Sequence, residues 1–246
     1  MLKSLYINHS KIIDKSEYPF NVPIIENLKN IDFNSNVTFF VGENGSGKST
    51  LLESVAILCG FGKEGGSRNS NFQTTKNSNS VLPLAEVINL VWDYRKYTNG
   101  FFFRAESFFS YANYLDQVAR DSGQYHQTYA SYGGKSLHNQ SHGESFLSLF
   151  KYRYNKQGIY LLDEPEAALS PQRQLSLLIL INEYCKTHES QFIIATHSPI
   201  LLAYPNADIY SFDKSEITKI KYEETESYQI TKNFLQSPQS YLNRLF

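Results

Sequence analysis

The chain has 246 residues, a length suited to one α/β domain with a small inserted lobe. Hydrophobic residues make up 41% of it, enough for a packed core and against global disorder. The 23 basic and 24 acidic residues leave a formal net charge of −1, which excludes an overall basic nucleic-acid clamp but not a local patch. No run reaches the ~20 apolar residues that span a bilayer, and the N-terminal MLKSLYINHSKIIDKSEYPF is too broken by polar residues for a signal peptide. A cytoplasmic protein without direct membrane insertion is expected. Cys59 and Cys185 lie in apolar helical stretches without metal-ligand spacing, so they read as buried thiols of a reducing compartment.

In chain order, residues 36–41 (NVTFFV) read as a buried strand. A Gly-rich loop follows, then LLESVAILCGFG, whose spacing fits a helix ending near Gly60 or Gly62. Residues 63–80 are polar and read as a loop. Residues 81–91 fit either a strand or a helix, GFFFR at 100–104 reads as a strand, and residues 107–120 have helical spacing. Residues 121–142, rich in Gly, Ser, Tyr, Gln and His, read as an exposed functional loop. A helix over 145–154, a strand over 158–162, a helix over 171–185 opened by Pro171, and strands over 191–195 and 209–212 complete the pattern. Short apolar strands alternating with longer helices predict a largely parallel sheet flanked by helices.

Gly42, Glu43, Asn44, Gly45, Ser46, Gly47, Lys48 and Ser49 spell G-x-x-x-x-G-K-S between a strand and a helix, the context this motif requires; Thr50 follows. Glycines let backbone N–H groups turn toward phosphates, and the helix N-terminus adds partial positive charge. Lys48 is expected to reach the β- and γ-phosphates, and Ser49 to ligate Mg²⁺. Asp163 and Glu164 end an apolar strand. Asp163 is expected to hold Mg²⁺ and Glu164 to orient and deprotonate the attacking water. His197 follows another strand, 34 residues beyond Asp163. In a parallel sheet both strand ends emerge on one side, so His197 is expected to sense the γ-phosphate and steady Glu164.

Gln140-Ser141-His142-Gly143-Glu144-Ser145 precedes a helix, with Ser141 22 residues ahead of Asp163. With the preceding motifs in this order, the chain resembles the ATP-binding-cassette (ABC) ATPases over residues 36–199. The hexad is similar to that family's LSGGQ/E signature: Ser141, Gly143 and Glu144 match, while Gln140 replaces Leu and His142 replaces Gly. The resemblance implies a P-loop fold of ABC type, with ATP and Mg²⁺ as cofactors. It also implies a helical signature lobe at about 81–150 and a head-to-tail homodimer in which Ser141, Gly143 and Glu144 contact the ATP of the opposite copy. Two features depart from the pattern. Ser170 stands where the family usually has Asp, and the glutamine loop has no clear counterpart; Glu106 is its positional candidate, near the metal, with an ordinary acid at a strand end as the alternative.

The pairs Asp163-Glu164-Pro165-Glu166 and Thr196-His197-Ser198-Pro199 look like the soluble SMC/RecF-like predicted ATPases (AAA family) of bacteria rather than transporter subunits. That resemblance implies a DNA-associated process, repair or phage and plasmid defence. Only 92 residues separate Lys48 from Ser141 and 49 follow His197, so neither a long coiled coil nor an appended nuclease fits. The expectation is an ATPase engine whose protein effector is encoded separately, with DNA a possible further partner. A transporter nucleotide-binding subunit and a slow ATP-dependent interaction switch are the alternatives. Tyr18 or Phe20 is the candidate platform for adenine, beside the commoner role of aromatics in core packing. KEGGSR at 63–68 is either a solvated loop or a contact to phosphate, partner or DNA.

Overall fold

A computed structural model describes residues 1–68, 81–94, 96–130, 132–139, 142–153 and 156–246. Strand β1 (Leu2–Ile7) leads to a short helix α1 (Pro23–Glu26) and to β2 (Asn30–Asp32). Strand β3 (Val37–Val41) then enters the Gly-rich loop and helix α2 (Lys48–Leu58). The ambiguous stretch after residue 80 is both things in turn: helix α3 (Leu82–Val87) and strand β4 (Ile88–Trp92). Strand β5 (Gly100–Arg104) runs directly into helix α4 (Ala105–Ser122), two residues earlier and longer than its spacing predicted.

The segment expected as a loop after residue 120 is partly helical, with α5 (Tyr125–Ala130) and a 3₁₀ turn at Leu137–Asn139. Helix α6 (His142–Ser148) starts inside the signature hexad rather than at Ser145, and it passes into a π-helical turn at Leu149–Arg153. Strand β6 (Ile159–Asp163), helix α7 (Pro171–His188), strand β7 (Gln191–Ala195) and strand β8 (Asp208–Ser211) follow close to their predicted positions, and the short helix α8 (Pro199–Leu202) between β7 and β8 was not predicted. Pro171 occupies the first turn of α7, where its missing N–H is harmless. Strand β9 (Thr218–Ile220) and helices α9 (Glu226–Gln236) and α10 (Pro238–Leu245) had no counterpart in the sequence reading.

The main sheet has the order β5-β6-β7-β3-β8-β9, parallel throughout except for the antiparallel edge strand β9. Its parallel strands are covered on both faces, which is why VTFFV, IYLLD and QFIIA are apolar runs without alternation. Phe39, Phe103, Tyr160, Leu162, Phe192 and Ile194 point to one face and pack with α4, α6 and α7. Phe40, Phe102, Leu161, Ile193 and Ala195 point to the other and pack on Leu51, Leu52 and Val55 of α2. A small antiparallel sheet, β2-β1-β4, covers the far side of α2 through Leu2, Leu5, Ile31 and Phe33. Buried Gln191 ties the two sheets: its amide accepts from Leu2 N at 2.9 Å and donates to Leu2 O at 2.9 Å.

Helix α2 is thus held between two sheets, and the loop at its start has little freedom to shift. Strands β4 and β5 fall inside the interval 81–150 but belong to these sheets, while α4, α5 and α6 follow them in chain order. Cys59 is buried as expected, whereas Cys185 is only half-buried; neither is bonded to another cysteine. Among the described residues no helix is long and apolar enough to cross a membrane.

Candidate functional site

The parallel register brings the carboxyl ends of β3, β6 and β7 to one edge of the sheet. Phe40 pairs with Ala195, and Ala195 in turn pairs with Asp163. The residues that follow these strands — Gly42 onward, Glu164 and His197 — therefore share one edge, where ligands of open α/β sheets bind. The Gly-rich loop is shaped by backbone demands. Gly47 has φ +99°, and a Cβ there would lie 2.9 Å from Ile24 Cγ2, so the turn into α2 admits glycine alone. Lys48 is buried, and its ammonium donates to the carbonyls of Gly42 (2.5 Å) and Glu43 (2.8 Å), folding across the loop it closes. Burial lowers its pKa, opposed by the charges of Glu164, Asp213 and Asp163. Asp213, just after β8, accepts from Glu43 N at 2.9 Å and orients the start of the loop.

Ser49 and Asp163, expected to share a metal ion, are in contact: Ser49 Oγ donates to Asp163 Oδ1 at 2.9 Å. Asp163 is buried, and desolvation pushes its pKa up to about 6, against the pull of the Ser49 hydroxyl and of Arg104. Two hard oxygen donors beside the Gly-rich loop fit a magnesium ion, which would need phosphate and water to complete its oxygen ligands. No cluster of three or more His, Cys, Asp or Glu able to hold a metal occurs among the described residues.

Glu164 adopts the left-handed region at φ 50°, a conformation that costs an L-residue about 1 kcal/mol and is tolerated where a side chain must be aimed. Its N–H is held by Ala195 O at 2.9 Å. His197 Nε2 lies 3.9 Å from Glu164 Oε1 and has no hydrogen-bond partner among the described residues.

Several residues that the sequence reading did not assign hold this edge together. Glu166 Oε1 accepts from His197 N at 2.6 Å and fixes the backbone of the histidine. Buried Gln174 links the loops that follow β6 and β7: its carbonyl oxygen accepts from Ser198 Oγ (2.5 Å) and its amide donates to Leu169 O (3.2 Å). Arg104, paired in register with Asp163, makes ion contacts to Glu53, Glu106 and Asp163. Of these, Glu166 stood inside the Asp163–Glu166 motif and Arg104 at the end of the GFFFR strand, neither with a role assigned.

Glu106 is exposed on the first turn of α4 and pairs with Arg104 at 3.3 Å; the side chain that faces Asp163 is Arg104. Phe20 is a core residue, packed in the cluster around α2, whereas exposed Tyr18 has its hydroxyl 2.8 Å from Thr50 Oγ1, beside the loop. Asn44, Gly45 and Ser46 form the bend of the loop. Gln140 and Ser141 lie outside the described residues. Gly143 and Glu144 lie on α6, where Glu144 pairs with Arg173 of α7 at 3.1 Å, and a Cβ on Gly143 would meet Arg173 Cδ at 2.5 Å. Within one chain, then, these signature residues face α7.

The AAA domain profile matches residues 20–244, most of the chain. The chain belongs to this AAA domain family. No curated protein matches. Among solved structures, the chain is similar to the ADP conformation of MJ1267, an ATP-binding cassette of an ABC transporter, with 15% identity and a TM-score of 0.51 over 97% of this chain and 96% of that one. It is also similar to cbiO1 of Clostridium perfringens, part of the ABC transporter complex cbiONQ (18% identity, TM-score 0.46, 100% of both chains). A further match is an SMC head domain from Thermotoga maritima (17%, 0.44, 89% of this chain and 98% of that one). The AAA-family chain is a P-loop ATPase with the fold of an ABC ATP-binding cassette.

Proposed function

We propose that this ATPase binds Mg·ATP at the Gly42–Thr50 loop, pairs head-to-tail with a second copy around two ATP, and hydrolyses them to drive or gate a separately encoded protein partner. The observation that carries the reading is the contact of Ser49 with Asp163, with Glu164 and His197 on the same sheet edge. Ser49 and Asp163 would hold Mg²⁺, whose charge offsets that of the β- and γ-phosphates. Lys48 releases its loop carbonyls to bind those phosphates. Glu164 accepts a proton from the attacking water, and His197, steadied by Glu166, keeps Glu164 and the water aligned. Ser141, Gly143 and Glu144 complete the opposite copy's site, and Tyr18 supports adenine. A DNA-associated role rests on the DEPE and THSP motifs.

Glu164→Gln tests the hydrolytic assignment. It is expected to retain ATP, to slow single-turnover hydrolysis at least a hundredfold and to accumulate a dimer in sedimentation. Wild-type turnover would remove Glu164 as the base. Ser141→Arg is expected to block that dimer while leaving ATP binding to the monomer intact. A slow-turnover switch is the second reading, favoured by Ser170 at the position where the family's aspartate communicates across the dimer. Single-turnover kinetics of the wild-type chain separates the two.

A further inference from the structure

Arg104 is the feature of this edge that the proposed hydrolysis does not use. It is the last residue of β5 and sits in register beside Asp163. Its guanidinium is mostly buried and meets three carboxylates at unequal distances. Nη1 lies 3.3 Å from Glu53 Oε2, Nη2 lies 3.3 Å from Glu106 Oε2, and Nε lies 3.7 Å from Asp163 Oδ2. Nη1 also reaches Lys63 O at 3.5 Å. Glu53 stands one turn beyond Ser49 on α2 and is itself buried to about the same degree as Asp163. Three negative charges therefore surround one positive charge.

The contacts divide by strength. Those to Glu53 and Glu106 are within hydrogen-bonding range, but the Nε–Asp163 contact is beyond it, and Nε has no hydrogen-bond partner among the described residues. Asp163 meanwhile gives Oδ1 to Ser49 and turns Oδ2 toward Arg104. Both oxygens of the carboxylate thus face donors of this same chain, and the looser of the two is a cation. A divalent ion at Ser49 and Asp163 would share its carboxylate with that cation, and like charges at such range repel strongly in a poorly hydrated site.

We propose that Arg104 is an exchangeable counter-cation of Asp163. It neutralises the buried carboxylate when no divalent ion is bound. It yields the carboxylate when one binds, and its contacts to Glu53 and Glu106 keep the guanidinium satisfied. Arg104 is in this sense a positioning residue that sets the affinity of the Asp163–Ser49 site for metal, and the inference rests on the Mg·ATP reading of that site.

The test is Mn²⁺ binding followed by electron paramagnetic resonance, with Mn²⁺ alone and with a non-hydrolysable ATP analogue. Four forms of the full chain are compared: wild type, Arg104→Gln, Glu53→Gln and the double variant. Arg104→Gln is expected to bind Mn²⁺ about tenfold more tightly than wild type, the effect of removing one weakly screened charge. The double variant, in which Glu53 is not left as an unpaired buried charge, is expected to exceed Glu53→Gln by the same ratio, so the result survives if Arg104→Gln alone folds poorly. Unchanged or weaker Mn²⁺ binding in both comparisons would overturn the counter-cation. If wild type binds no Mn²⁺ with the ATP analogue, the Mg·ATP reading falls, and the counter-cation with it.

Discussion

Replacing Asp163 by Asn should stabilise the metal-free protein at neutral pH while removing its activity. Burial pushes the Asp163 pKa from its ordinary 3.8 up to about 6, so the folded chain holds the proton over a pH range in which the unfolded chain has lost it. Between those values the folded state binds more protons, and stability falls as pH rises. Above about pH 6 the loss is complete, and a shift of roughly two units at 1.36 kcal/mol each amounts to about 3 kcal/mol. Asparagine imitates the protonated acid: it keeps an oxygen for the Ser49 hydroxyl and carries no charge. Urea unfolding of both proteins in EDTA, from pH 4 to pH 8, measures the difference. The variant should be about 3 kcal/mol more stable at pH 7.5, and the two curves should converge near pH 4. A constant difference, or a variant less stable at pH 7.5, would refute the desolvation argument. Added Mg·ATP should reverse the order, because only the carboxylate gains from the cation.

Glu166→Ala should remove the charged acceptor of His197 N and lower stability by about 1–3 kcal/mol, with a kcat loss larger than the change in KM; Glu166→Gln, which keeps an acceptor, should recover most of both. Gln174→Ala leaves the buried Ser198 hydroxyl and the Leu169 carbonyl without this partner, so a loss of about 2–4 kcal/mol in denaturant unfolding is expected. Tyr18→Ala should weaken ATP binding about tenfold in a fluorescence titration while Tyr18→Phe does not, because a π-face contact survives loss of the hydroxyl. Phe20→Ala, a core truncation, should instead lower stability by about 3–5 kcal/mol.

What could be read from the sequence depended on how local its physical cause is. The Gly42–Ser49 loop is a short-range object: its glycines answer to backbone angles within a few residues, so spacing alone revealed it, as Gly47 illustrates. The apolar runs that became β3, β6 and β7 were equally visible, because strands buried on both faces need no polar alternation. Strands β1 and β2 were missed since each shows only a few apolar positions between polar ones, and the pairing of β1 with β2 and β4 joins distant segments. Helices α9 and α10 were missed for the opposite reason: they bury no residue, so the core leaves little mark on their sequence. The same logic applies within the site. Ser49 opens helix α2, and Asp163, Glu164 and His197 end or follow strands, positions that a topology rule can align. Arg104 lies beside Asp163 only because β5 is the neighbour of β6, and Glu53 reaches it only because α2 crosses that face. Sheet order is a property of the whole chain. The carboxylate that the motif reveals is therefore local information, while the cation that competes for it is not, and the affinity of the site for metal is set between the two.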